Sequence, residues 1–256
     1  QQQRVDAFIV VAVFFAAVVF ASAFLIFLVQ PMVGKRILPW FGGAPTVWIL
    51  CLAFYQSALF LGYAYAHCLI RFVPIRAQVA IHALMSAAAM AALPVLPGEG
   101  WQPAAAADPG LRIVVMLAVN VGLPFIVLAA TGPLTQAWFV SVAPGRSPYG
   151  LYAVSNLGSL MALLGYPFVL EPVFSLSRTG VFWSAAFALT AASVLVCAAL
   201  AARASFRGGG RLDPPGPDAR RPAASRIALW VLLPACAVIL LMGVTNELCL
   251  DLASVP

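Results

Sequence analysis

No charged side chain lies between Arg36 and Arg71, between Arg112 and Arg146, or between Arg178 and Arg203. Runs of this kind are incompatible with solvated loops or amphipathic surface helices, which need charged or strongly polar positions facing water. A helix crosses the hydrocarbon layer with about 20 apolar residues. Seven segments meet that requirement: 7–28, 47–70, 79–96, 113–142, 149–170, 179–202 and 227–245. They are rich in Ala, Leu, Val and Phe and show no period-2 alternation, which predicts helices and argues against a barrel. The chain is 63% hydrophobic and 9% charged, more apolar surface than one soluble core of 256 residues can hide. The expected fold is all-α, a polytopic transmembrane bundle of about seven helices. Its expected organisation is a six-helix bundle over 1–202, an Arg/Gly/Pro-rich cytoplasmic linker over 203–226, and a seventh helix with its outer end over 227–256. The first segment is too long for a signal-peptide core and reads as a retained helix.

Basic residues predict the orientation. The N-terminus and the second, fourth and sixth connections hold Arg4, Arg71, Arg76, Arg146, Arg203, Arg207, Arg211, Arg220, Arg221 and Arg226, ten in all. The odd-numbered connections hold Lys35, Arg36, Arg112 and Arg178, four in all. This bias places the N-terminus in the cytoplasm and the end of the seventh helix outside. The net charge of +6 is therefore a topology signal, and no nucleic-acid partner is expected, because the Arg-rich linker carries only Phe206 as an aromatic. Trp40, Trp48, Trp101, Trp138, Trp183 and Trp230 lie at or near segment ends, where an indole sits at the headgroup level. The five cysteines form no CxxC pair and read as small apolar packing residues.

Several segments are interrupted. Gly122-Leu123-Pro124 and Thr131-Gly132-Pro133 predict a kink or re-entrant stretch in the fourth, and residues 30–43 predict a short piece lying along the membrane surface. Ser155, Gly158, Ser159 and Ala162 have the spacing that lets two helices approach closely. Gly208-Gly209-Gly210 lies between arginines in a Pro-rich stretch, so it reads as linker; a nucleotide loop needs a strand before it and a helix after.

Few residues offer chemistry. His67 and His82 fall near the cytoplasmic ends of neighbouring segments and would suit a haem or a chlorophyll-type magnesium, against the plainer reading of two hydrogen-bonded interfacial histidines. No other cofactor is implied, although bound lipid is expected. Gln56, Asn120, Gln136, Asn156 and Asn246 are amides within apolar segments or at their ends. They read either as a polar path near the bundle axis, with Asn156 its centre beside Ser155 and Ser159, or as hydrogen-bonding glue between helices. Glu171, Glu247 and Asp251 fall near outer helix ends; if they converge they form a cation site, and if separate they are solvated acids. No nucleophile–base pair and no metal-ligand cluster is evident.

Four stretches carry a family resemblance: SAFLIFLVQPMVGKRILPWFGGAPTVW (22–48), GYAYAH (62–67), PGRSPYGLYAVSNLGSLMALLGYPFVLEP (144–172) and VTNELCLDLASVP (244–256). In content and order they resemble the membrane region of the bacterial fused transporter/spermidine-synthase family. There a multi-helix region precedes a soluble domain resembling the aminopropyltransferase or methyltransferase Rossmann fold. The sequence ends at Pro256 before any such domain, so spermidine-synthase catalysis is not expected of it. The resemblance implies the bacterial inner membrane. Six helices, a linker and a restart also match the midpoint of major-facilitator transporters. Two functions follow as expectations. One is a non-catalytic accessory or scaffold module that packs against other integral membrane subunits. The other is a transporter-like half bundle for a small cationic metabolite such as a polyamine, which needs a second bundle for alternating access.

Overall fold

The computed structural model describes residues 2–103, 109–207 and 223–253, with side chains over 8–103, 109–206, 223–241 and 243–244. Among them are seven helices and no strand: α1 (Gln2–Phe41), α2 (Pro45–Phe72), α3 (Ile75–Ala91), α4 (Pro109–Val142), α5 (Tyr149–Val173), α6 (Leu176–Arg207) and α7 (Ala224–Ala253). Six of the seven are long and apolar enough to cross a membrane, so the chain is a multi-pass helical membrane protein. α3, with 17 residues, is the shorter one and lies at the lower limit for a span, about 17 residues. It starts before the expected segment and stops at Ala91, ahead of Leu93-Pro94, because a residue that precedes proline is pushed out of the helical region.

The chain divides into two compact units, Gln1–Leu212 and Asp213–Pro256. The second holds α7, with Pro234 inside it. In the first, α4 is the hub: α1, α2, α3 and α6 all pack against it, while α5 rests on α1. Phe125, Leu128, Ala130, Leu134 and Trp138 of α4 are each at most 2% exposed. Contacts at the helix ends show that α3 runs antiparallel to α6 and α4 to α1, whereas α1 and α5 run parallel. Arg76 at the start of α3 lies over Phe206 near the end of α6, and Arg146 after α4 lies over Phe8 of α1. At the other end Lys35 meets Glu171, and the Arg36 Nε donates to the Pro97 carbonyl.

Lipid tails are as apolar as leucine, so helices in a bilayer are held by close packing and hydrogen bonds rather than by expulsion of water. Two glycines provide the closest approaches. A Cβ on Gly62 of α2 would lie 2.5 Å from the Ala129 Cβ and 2.9 Å from the Ile126 carbonyl oxygen of α4. A Cβ on Gly158 of α5 would lie 2.6 Å from the Phe20 carbonyl oxygen of α1. Ala162, one turn on from Gly158, is fully buried, and Ser155 and Ser159 flank the seam half-buried. The Ser159 hydroxyl donates to the Ser155 carbonyl at 3.1 Å.

Three sequence expectations are corrected. First, residues 30–43 hold no surface-lying piece: α1 continues through Pro31 and Pro39 to Phe41, 40 residues or about 60 Å. Met32, Val33 and Ile37 are at most 1% exposed, so tertiary burial overrides the cost of the prolines. Second, α4 does not re-enter: it is unbroken from Pro109 to Val142. It widens into one π turn at Ala118–Gly122 just ahead of Pro124, in the turn whose carbonyls the proline ring would strike. The Asn120 Nδ2 donates to the Met116 carbonyl there at 2.8 Å. A second π turn, Tyr166–Leu170, precedes Pro172 in α5. Third, Trp138 and Trp183 are fully buried core residues, because each indole N–H finds an internal acceptor: Gln78 Oε1 and the Leu25 carbonyl, both at 2.9 Å.

Candidate functional site

α3 carries Gln78, His82 and Ser86 at four-residue spacing, which puts all three on one face of the helix. That face turns inward, and the three are at most 2% exposed. They form the most polar part of the bundle interior. Gln78 is a bridge: its Nε2 donates to the Val73 carbonyl at 2.8 Å, and its Oε1 accepts from Trp138 of α4. This ties the α2–α3 turn to the hub helix. The His82 Nδ1 lies 3.3 Å from the Tyr65 hydroxyl of α2, and the His82 ring stacks on Tyr65 and meets Trp138 edge-on. The His82 Nε2 and the Ser86 hydroxyl are buried without a hydrogen-bond partner among the described residues. Further along α4, the Thr131 hydroxyl donates to the Val127 carbonyl, and the Thr135 hydroxyl to the Thr131 and Gly132 carbonyls, so these buried groups are satisfied within their own helix.

Of the two histidines, His67 is exposed on α2 and His82 is enclosed, so the two imidazoles do not share an environment. A macrocycle ligated by His82 would have to displace the Tyr65 and Trp138 rings, which lie 6.0 and 6.1 Å from it. Among the described residues no group of three or more His, Cys, Asp or Glu side chains is placed to hold a metal.

The amides of the expected polar path are spread over different faces. Gln136 is half-buried on α4, and Asn120 bonds its own helix. Gln56 of α2 and Asn156 of α5 are exposed, each well inside its helix, and neither side chain has a hydrogen-bond partner among the described residues. Asn246, Glu247 and Asp251 belong to helical backbone of α7, and their side chains lie outside the described residues.

Glu171 is engaged: Lys35 Nζ lies 2.7 Å from its Oε1, joining the C-terminal parts of α1 and α5. At 44% and 40% exposure this pair is screened by water. Lys35→Met is expected to change unfolding free energy by less than about 1 kcal/mol, read by unfolding in mixed micelles. A loss well above that would mean that the pair is desolvated.

Gln78 and Tyr65 are site residues with no role in the sequence expectations, and Trp138 is expected there only as an interfacial anchor. The signal for Gln78 was the 78, 82, 86 spacing of polar residues in an otherwise apolar helix. Tyr65 and Trp138 carry no comparable mark, since aromatics are common throughout the chain. In comparisons with known proteins, no family model, no curated protein and no solved structure matches this chain.

Proposed function

We propose that this chain is a non-catalytic membrane module that packs against other integral membrane proteins of a larger complex. The observation that carries this reading is the outward placement of Asn156. Tyr149, Tyr152, Leu160 and Leu163 lie four or seven residues from it along α5 and are all at least 50% exposed. Spacings of four and seven put them on one face with the amide. An amide facing hydrocarbon without a partner is unfavourable by several kcal/mol. A neighbouring helix that accepts its hydrogen bond recovers about 0.6 to 2 kcal/mol and sets the register of contact. Gln56 on α2 has the same character.

The family and the compartment belong to the same proposal: the membrane region of the fused transporter/spermidine-synthase family, in the bacterial inner membrane with the N-terminus in the cytoplasm. Its support is that the stretches carrying the resemblance also hold structural contacts. Gly62 and Gly158 make the close helix approaches, and Lys35 and Glu171 join the first stretch to the third. The alternative, a carrier for a small cation such as a polyamine, relied on free outer acids, and Glu171 is already paired with Lys35.

A photo-crosslinking residue at position 156, in native membranes, tests the module reading. The expected result is one crosslinked integral membrane polypeptide at fixed stoichiometry. Asn156→Leu, followed by isolation in mild detergent, is expected to lower its recovery at least several-fold. Crosslinks to lipid alone overturn the reading, and so does uptake of labelled spermidine by vesicles that contain only this protein.

A further inference from the structure

At the end of the first unit where the start of α3 meets the last turns of α6, an open cleft is lined by Arg76, Ala202, Arg203 and Phe206. The Arg76 guanidinium carbon lies 5.2 Å from the centroid of the Phe206 ring. Phe206 is 74% exposed. Two arginines thus line one open cleft, and neither has a carboxylate partner among the described residues. The only acids with described side chains are Glu99 and Glu171, at the opposite helix ends. Like charges held together at a surface favour an anion between them. The cleft sits where apolar helices end, which is the level of phospholipid phosphates. Guanidinium forks match phosphate oxygens in pairs. Phe206 and Ala202 add apolar surface beside the charges, which suits a ligand with a charged head and an apolar body.

We propose that this cleft binds the phosphodiester headgroup of an anionic phospholipid, with Arg76 and Arg203 on the phosphate and Phe206 and Ala202 against the glycerol and first acyl carbons. Two basic side chains near an anionic headgroup correspond to a preference of roughly thirtyfold over a zwitterionic lipid.

The test places the full chain in nanodiscs of phosphatidylcholine with and without phosphatidylglycerol and reads retained lipid by native mass spectrometry. Wild type is expected to retain phosphatidylglycerol selectively. Arg76→Gln/Arg203→Gln is expected to lose that selectivity, and Arg71→Gln, a basic residue of the same end outside the cleft, to keep it. If the double variant does not fold, Arg203→Gln alone carries the test under the same criteria. A glutamine variant that keeps wild-type selectivity overturns the proposal, as does an equal loss in Arg71→Gln. Inorganic phosphate added to detergent-purified protein separates the sources: protection against thermal unfolding equal to that from phosphatidylglycerol overturns a lipid site in favour of free phosphate.

Discussion

Gly158→Leu is expected to release α5 from the bundle. The first atom of any side chain at this position would lie 2.6 Å from the Phe20 carbonyl oxygen and 3.4 Å from the Ala23 Cβ. The nearer obstacle is backbone and cannot rotate away, so the helices must separate. α5 has little else to hold it: its buried residues Leu151, Gly158, Ala162 and Tyr166 form one narrow stripe, and α1 is the helix they face. No water-expulsion term compensates for lost contact in a bilayer. Overpacking by larger side chains costs about 1–3 kcal/mol and more where the backbone must move, and Gly158→Leu belongs at the upper end. Gly158→Ala is expected to cost about 1–3 kcal/mol, and Ser159→Ala, at the edge of the seam, under about 1 kcal/mol. Reversible unfolding in mixed micelles gives the order, and protease cutting between α4 and α5 at 144–148 reports detachment directly. Wild-type stability in Gly158→Leu would show that α5 is held by something other than this seam.

The same glycine shows what was legible in the sequence. Spacing of small residues at 155, 158, 159 and 162 marks a helix surface that can be approached closely, and the charge-free runs mark the spans. Both are one-dimensional signals, carried by the order of residue types along one helix. The direction in which a lone polar side chain points is different, because it depends on how each helix is rotated against its neighbours. Asn156 sits beside serines that border the α1 seam, yet its own position is about 100° round the helix from Ser155 and about 60° from Ser159, and faces outward. Proline was over-read for a related reason. Pro31 and Pro124 break isolated helices, but Met32, Val33 and Phe125 beside them are buried at the centre of the bundle, and a π turn ahead of Pro124 accommodates its ring. The burial of Trp138 and Trp183 has no mark beside the indoles themselves: their acceptors, Gln78 and the Leu25 carbonyl, are 60 and 158 residues away in the chain.

Gln78→Leu is expected to cost about 2–6 kcal/mol, because one substitution leaves two groups unpaired at about 1–3 kcal/mol each. The amide accepts from Trp138 Nε1 at 2.9 Å and donates to the Val73 carbonyl at 2.8 Å, so leucine strands an indole N–H in a fully buried site and a carbonyl at the α2–α3 turn. Trp138→Phe removes the donor and leaves the Gln78 oxygen unpaired, with a further loss of contact where the larger ring packed. The two effects share one hydrogen bond and must not add. With Trp138→Phe already in place, Gln78→Leu no longer strands the indole, so the double variant should be more stable than the sum of the singles predicts. The expected coupling is about 0.6–1.7 kcal/mol, between the average and the largest value found for hydrogen bonds between membrane helices. Unfolding of all four proteins in the same mixed micelles measures it. Additive losses would mean that the Gln78–Trp138 bond contributes nothing beyond the separate packing of the two side chains, and the tie from α3 to the hub helix would then have to rest on the His82–Trp138 ring contact instead.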